Sequence, residues 1–263
     1  MSPQNNPAVI LGPMRFLLAA LVLLGAAPQE PAAPLFNGKD LSGFTTFLEK
    51  KGKNADPDQV FTVADGVIRV SGQEFGYFAT EKEYENFRLT AEFKWGKETH
   101  APRKVKARDS GILFHMTGED KIWPKSVEFQ IIEGGTGDVI LVDGASMEYD
   151  PAFEPRLSGK RDKIFSPDGK RLVAGRVNWP KRSPQWKDAL DFRGPDDLEK
   201  PLGEWNALEL LCADGAFTYW VNGTKVVEGK GAEPRKGRIL FQSEGAELFF
   251  RKIEVNVSAT QKR

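Results

Sequence analysis

The stretch Phe87-Arg88-Leu89-Thr90-Ala91-Glu92-Phe93-Lys94-Trp95 alternates without a break, apolar at every odd position and polar or charged at every even one. Successive side chains of an extended strand point to opposite faces, so this pattern sets Phe87, Leu89, Ala91, Phe93 and Trp95 against a core and leaves the rest in water. On a helix the same positions would be scattered around the whole circumference. The stretch is therefore a strand with one buried face, and the chain around it must supply a second apolar layer.

Moving outward, short β-rich runs recur with turn signals between them. Val60 to Val63 and Val67 to Val70 flank Asp65-Gly66, a hairpin signal with β-branched residues on both sides. Further strands are expected at Gly111 to Met116, Ser126 to Glu133 and Asp138 to Val142. The last third adds Trp205 to Cys212, Phe217 to Val221, Lys225 to Val227, Arg238 to Gln242 and Glu247 to Val257. Asp214-Gly215 and Asn222-Gly223 join three of these as a meander. Regularly spaced strands with no amphipathic helix predict an all-β protein, two antiparallel sheets stacked as a sandwich in one domain over residues 34–258. Two stretches, about 97–109 and 153–200, are expected to be long insert loops, and 259–263 a tail.

The charge balance narrows the partners. Lys plus Arg and Asp plus Glu number 37 each, so the chain lacks the basic excess by which nucleic-acid-binding proteins neutralise phosphates. Residues 1–33 stand apart: Arg15 precedes the apolar run Phe16 to Leu24, which ends in Gly25-Ala26-Ala27. That is the order of a secretory signal peptide, and the run is too short to span a bilayer comfortably. A start at Met14 would put the charge where signal peptides carry it. Pro28 is awkward for cleavage after Ala27, which leaves an uncleaved anchor as the alternative. The expectation is an exported protein, periplasmic or secreted, with no stable transmembrane span in its mature form. Cys212 is the single cysteine, so an internal disulfide is excluded, and its setting in Leu210-Leu211-Cys212 is that of a small core residue.

Strand parity picks out the polar residues that could carry chemistry. In Ser126 to Glu133, Glu128 and Gln130 share a face with Ile132, opposite Phe129 and Ile131. A strand mixed on both faces lies inside a sheet, with one face on the core and the other on a partly polar groove; a structural pairing of Glu128 with an arginine such as Arg251 is the alternative. In the preceding strand Gly111, Leu113 and His115 share a face opposite Ile112 and Phe114, which places His115 in the same groove. Histidine titrates near neutrality and ligates metals, so Glu128 and His115 are the candidate catalytic pair, and also the candidate ligands of a divalent cation. Gln242 and Glu244 share a face and are expected to bind substrate hydroxyls with Gln130. Trp179 and Trp123, each beside a proline in an expected loop, are candidate stacking platforms for a ligand ring. No strand carries the closely spaced carboxylate pair of a retaining glycosidase: Glu128 and Glu133 fall on opposite faces.

Several segments, taken in order, resemble the 3-keto-disaccharide hydrolase family. They are Leu35-Phe36-Asn37-Gly38-Lys39-Asp40-Leu41, Asp109-Ser110-Gly111-Ile112, Glu128-Phe129-Gln130-Ile131, Gly203-Glu204-Trp205-Asn206, Val221-Asn222-Gly223 and Leu240-Phe241-Gln242-Ser243-Glu244-Gly245. The resemblance runs over about residues 35–257, with Phe44 where the family commonly has Trp. It implies a concanavalin A-like lectin/glucanase jelly roll whose concave sheet faces a sugar. It also implies a core position for Trp205, and cleavage of 3-keto-glycosides. A 3-keto group acidifies the C2 proton, so one base could expel the C1 substituent without a carboxylate pair. A non-catalytic carbohydrate-binding module and a structural or adhesion domain are the competing expectations, since one fold hosts many functions.

Overall fold

The computed structural model describes residues 33–148 and 164–257. Apart from Ala33 the expected leader lies outside these residues, as does the 259–263 tail. Every regular element among them is a strand. One sheet runs β16 (Thr224–Gly229), β15 (Ala216–Val221), β14 (Asn206–Ala213), β7 (Phe87–Thr99), β18 (Ala246–Asn256), β5 (Val67–Val70), β4 (Phe61–Ala64), with β1 (Ala33–Pro34) added to β18. The other runs β11 (Met147–Glu148), β13 (Arg171–Val177), β10 (Val139–Val142), β9 (Lys125–Ile132), β8 (Asp109–Thr117), β17 (Arg238–Ser243), β6 (Gly76–Thr80), β2 (Phe44–Leu48), β3 (Gly52–Lys53), with β12 (Ile164–Phe165) added to β13. All pairings are antiparallel, and the sheets stack as the expected jelly-roll sandwich.

The core between the sheets is aromatic. Phe78 of β6 stacks on Phe241 of β17 at 4.8 Å, and Phe250 of β18 meets Phe241 edge-on from the facing sheet at 5.3 Å. Phe129 of β9 stacks on Tyr219 of β15 at 4.1 Å. These contacts join the layers, so alternate residues of β9 and β17 are committed inward and those between them must face the outer side of the second sheet. Cys212 is buried in the same core as a free thiol.

The strands read from alternation are all present, and those not foreseen have physical reasons. β6 is buried along its whole length, so it shows no polar face to alternate with. β13 lies inside the expected 153–200 loop and is broken by Gly175 at φ 124°, which interrupts its periodicity. It pairs with β10 and widens the second sheet. Of the expected 97–109 loop, Lys97 to Thr99 extend β7 and Asp109 opens β8.

The strand β8 holds the most consequential departure. His115 has φ 55°, and its ladders with β9 and β17 both slip beside it, between Phe114 and Thr117 and between Arg238 and Leu240. This is a β-bulge, and one extra residue turns the following side chains over. Met116 therefore joins Leu113 in an apolar cluster with Tyr77, Ala79 and Leu240 on the outer face. His115 is displaced from that face.

Candidate active site

Three adjacent strands, β9, β8 and β17, form the floor of the site. Glu128 stands across the ladder from Leu113, and Gln130 from Gly111. On the other side Leu240 stands across from Leu113, which brings Gln242 toward Gly111. Because Gly111 has no side chain, the Glu128 carboxylate and the Gln242 amide converge in the space above it. A Cβ at this position would collide with both oxygens. Both side chains are almost wholly buried, with Glu128 4% and Gln242 1% exposed.

Neither amide atom of Gln242 has a hydrogen-bond partner among the described residues. An unsatisfied buried amide costs about 1–3 kcal/mol, so a water or ligand group that reaches it is held there. Next to it, Gln130 donates from its NH2 group to the Asp109 carboxylate and to the Ser110 carbonyl at 3.0 Å. Asp109 also pairs with Arg103, whose guanidinium reaches Asp188 at 3.1 Å and Glu244 at 3.6 Å. Arg103 is thus the clamp that ties the insert after β7 to the end of β8. These groups, with Trp123, Ile140, Asp143 and Arg176, surround a cleft of about 510 Å³.

Glu128, Gln130, Gln242 and Glu244 all line this cleft: parity pairs Glu128 with Gln130 and Gln242 with Glu244, and the strand order β9-β8-β17 brings the two pairs together. Arg251 is not the partner of Glu128; it pairs with Glu92 at 2.6 Å on the other sheet. Three further expectations are corrected. His115 lies outside the cleft: Nδ1 faces the Pro234 carbonyl and Nε2 the Glu85 carbonyl, each at 3.0 Å, with Phe87 and Phe114 against the ring. Burial pushes its pKa below the ordinary histidine value, against the pull of the two carbonyls. The ring is buried away from the cleft with a backbone carbonyl against each nitrogen, so neither nitrogen is open to a substrate or a metal there.

Trp179 is 4% exposed and packs in the main core, its backbone N–H donating to Asp138 at 3.0 Å. It is no stacking platform, because Asp138, which also pairs with Arg176 and Arg182, draws the chain after β13 inward. Trp205 takes the opposite course and is only half-buried. It precedes β14, whose inward positions begin at Asn206, and two cations lie over its ring, the Arg251 guanidinium at 4.1 Å and the Lys94 ammonium at 4.9 Å from the centroid.

Among the described residues the expected cation has no fitting ligand set. No cluster of three or more His, Cys, Asp or Glu side chains suited to a metal occurs among the described residues, and His115 and Glu128 are not a pair. No catalytic step is therefore derived through a metal.

A second buried carboxylate lies elsewhere. Glu199 accepts from Trp95 Nε1 at 2.8 Å, Thr136 Oγ1 at 2.7 Å and the Gly134 N–H at 3.1 Å. Burial, with a contribution from Asp197, pushes its pKa up from 4.5 to about 7 despite these donors. The folded protein then holds a proton that the unfolded chain releases, so stability falls as pH rises from the ordinary carboxyl range through about 7. At about 1.4 kcal/mol per pK unit the loss totals on the order of 3 kcal/mol. Glu199→Gln should flatten the difference between urea midpoints measured near pH 5 and near pH 8. Its absolute stability should drop, because an amide cannot accept from all three donors. An unaltered pH slope in the variant would assign the proton to another group.

The family described as the 3-keto-alpha-glucoside-1,2-lyase-like domain matches residues 31–256. The chain belongs to this family. The segments around Gly111, Glu128 and Gln242, all within the matched range, sit on the neighbouring strands β8, β9 and β17, so stretches far apart in sequence form one floor. Membership places the protein among carbohydrate-acting proteins. Solved structures share the fold. One candidate glycosyl hydrolase structure from Parabacteroides distasonis is 22% identical over 86% of this chain and 93% of its own, with a TM-score of 0.51. A second structure of a candidate glycosyl hydrolase from that organism is 21% identical over 87% and 100%, with a TM-score of 0.53. The β-glucanase of Bacillus licheniformis is 10% identical over 87% and 98%, with a TM-score of 0.47. No relative is found among curated proteins.

Proposed function

We propose that the protein cleaves glycosides oxidised at C3, by elimination across C1 and C2, with Glu128 as the base. The observation that carries this reading is the convergence of the Glu128 carboxylate and the unpartnered Gln242 amide above Gly111. The C2 proton, acidified by the neighbouring ketone, passes to Glu128. The C2–H electron pair becomes the C1–C2 double bond as the C1–O bond breaks, and the departing oxygen takes a proton from solvent. Addition of water across the new double bond then gives the 3-keto sugar, so the sum of the two steps is hydrolysis. The Gln242 NH2 group donates to an oxygen that gains negative charge as the proton leaves, where such a bond strengthens most. Elimination needs one base, which suits a sequence whose expected strands carry no closely spaced carboxylate pair of the retaining kind. The leader at residues 1–33 supports an exported protein meeting its substrate outside the cytoplasm.

The test is incubation of the purified protein with 3-keto-trehalose and with trehalose. Glucose should be released from the first and not the second, and deuterium at C2 of the keto ring should slow the release. Binding of both sugars with turnover of neither would support a lectin-like role. Turnover without an isotope effect would point to direct hydrolysis.

A further inference from the structure

Glu128 and Gln242 act on one ring of a disaccharide, and the other ring needs its own surface in the cleft. The segment 118–124, which joins β8 to β9, is a strap tied onto the second sheet. Asp120 at its centre accepts from Tyr77 Oη at 2.7 Å, Arg238 Nη2 at 2.5 Å and Lys53 Nζ at 2.9 Å, so three strands hold one carboxylate. Desolvation would raise the pKa of Asp120, but the hydrogen bonds from Arg238, Lys53 and Tyr77 outweigh it and hold it at about 2. The tie is thus charged at neutral pH and well below it. Lys121 adds a second tie, to Asp143 at 2.6 Å on the cleft's rim.

What the strap carries into the cleft is Trp123. The indole is half-buried, set against Phe75 at 6.1 Å, and lines the same space as Glu128 and Gln242. Tyr77, which takes part in the Asp120 tie, stands directly across the ladder from Gln242. The position of the indole relative to the reacting groups is therefore set through Asp120. An aromatic ring left partly open beside polar groups gains burial when the C–H face of a pyranose lies on it.

We propose that this strap recognises the leaving half of the substrate: Trp123 is the platform for the sugar ring on the departing oxygen, and Asp120 is the positioning residue that holds it there. The proposal rests on the 3-keto-glycoside reading of the site. It makes the protein selective for glycosides whose leaving group is itself a ring.

The experiment compares 3-keto-trehalose with methyl 3-keto-α-glucoside on the full chain and on Trp123→Ala, Trp123→Phe and Asp120→Asn. The ratio of kcat/KM for the disaccharide to that for the methyl glycoside should fall on the order of tenfold in Trp123→Ala and recover in Trp123→Phe. Asp120→Asn should lower the same ratio, raising KM for the disaccharide more than it lowers kcat, with the melting curve showing a folded protein. A ratio that does not change in Trp123→Ala overturns the proposal. If the parent protein turns over neither substrate, the 3-keto-glycoside reading fails by itself. Calorimetric titration of the same variants with trehalose and methyl α-glucoside then decides the strap: a preference for the disaccharide that depends on Trp123 upholds it, and equal or absent binding removes it.

Discussion

Glu128→Gln should abolish turnover of a 3-keto-glycoside while leaving the fold intact. The substitution keeps shape and volume, and the backbone of Glu128 stays fixed by the ladders to Leu113 and Ile140 and by the Tyr219 hydroxyl, which donates to its carbonyl at 3.3 Å. What is lost is a basic carboxylate beside the Gln242 amide. Removal of a general base costs roughly 10²-fold to 10⁴-fold in rate, far more than a small stability change would produce while the protein remains folded. Initial rates on 3-keto-trehalose, read beside a thermal melt, check the prediction. A variant that works at the parent rate would make Glu128 a structural residue, and His115 could not replace it, because its ring is buried outside the cleft.

Why Glu128 was legible from sequence and His115 was not follows from the regularity of their strands. β9 is uninterrupted from Lys125 to Ile132, so parity alone places Glu128 and Gln130 together; it also pairs Gln242 with Glu244, and only the strand order brings that pair toward Glu128. In β8 the rule holds from Gly111 to Leu113 and fails one step later, at a bulge that Phe114-His115-Met116 does not announce. The residues missing from the sequence reading are those whose partners come from distant segments. Arg103 sits in a stretch that reads only as basic, and its role depends on Asp109, Asp188 and Glu244 meeting around it. Asp120 is likewise an ordinary loop acid until Tyr77, Arg238 and Lys53 close on it. Trp179 and Trp205 exchanged their expected environments for a related reason. Asp138 pulls the first inward, and the parity of β14, which buries Asn206, turns the second outward.

Gly111→Ala should inactivate the protein nearly as fully as loss of the base, although it adds one methyl group far from any turn. Gly111 is in an interior strand and is not among the positive-φ glycines, so alanine fits its backbone. The added Cβ would overlap the carboxylate oxygen of Glu128 and the amide oxygen of Gln242, the ends of two side chains that can swing aside. The fold should therefore persist with a modest change in melting temperature while both reacting groups leave their positions. A displacement of about 1 Å at reacting groups costs on the order of 10²-fold in rate. Combining Gly111→Ala with Glu128→Gln supplies the sharper measurement. If alanine acts by displacing Glu128, the double variant should be scarcely slower than Glu128→Gln alone, because groups that work as a unit lose their effect once. Multiplying penalties would instead mean that Gly111 serves the reaction independently of the carboxylate, and the convergence over its Cα would not be the origin of the activity.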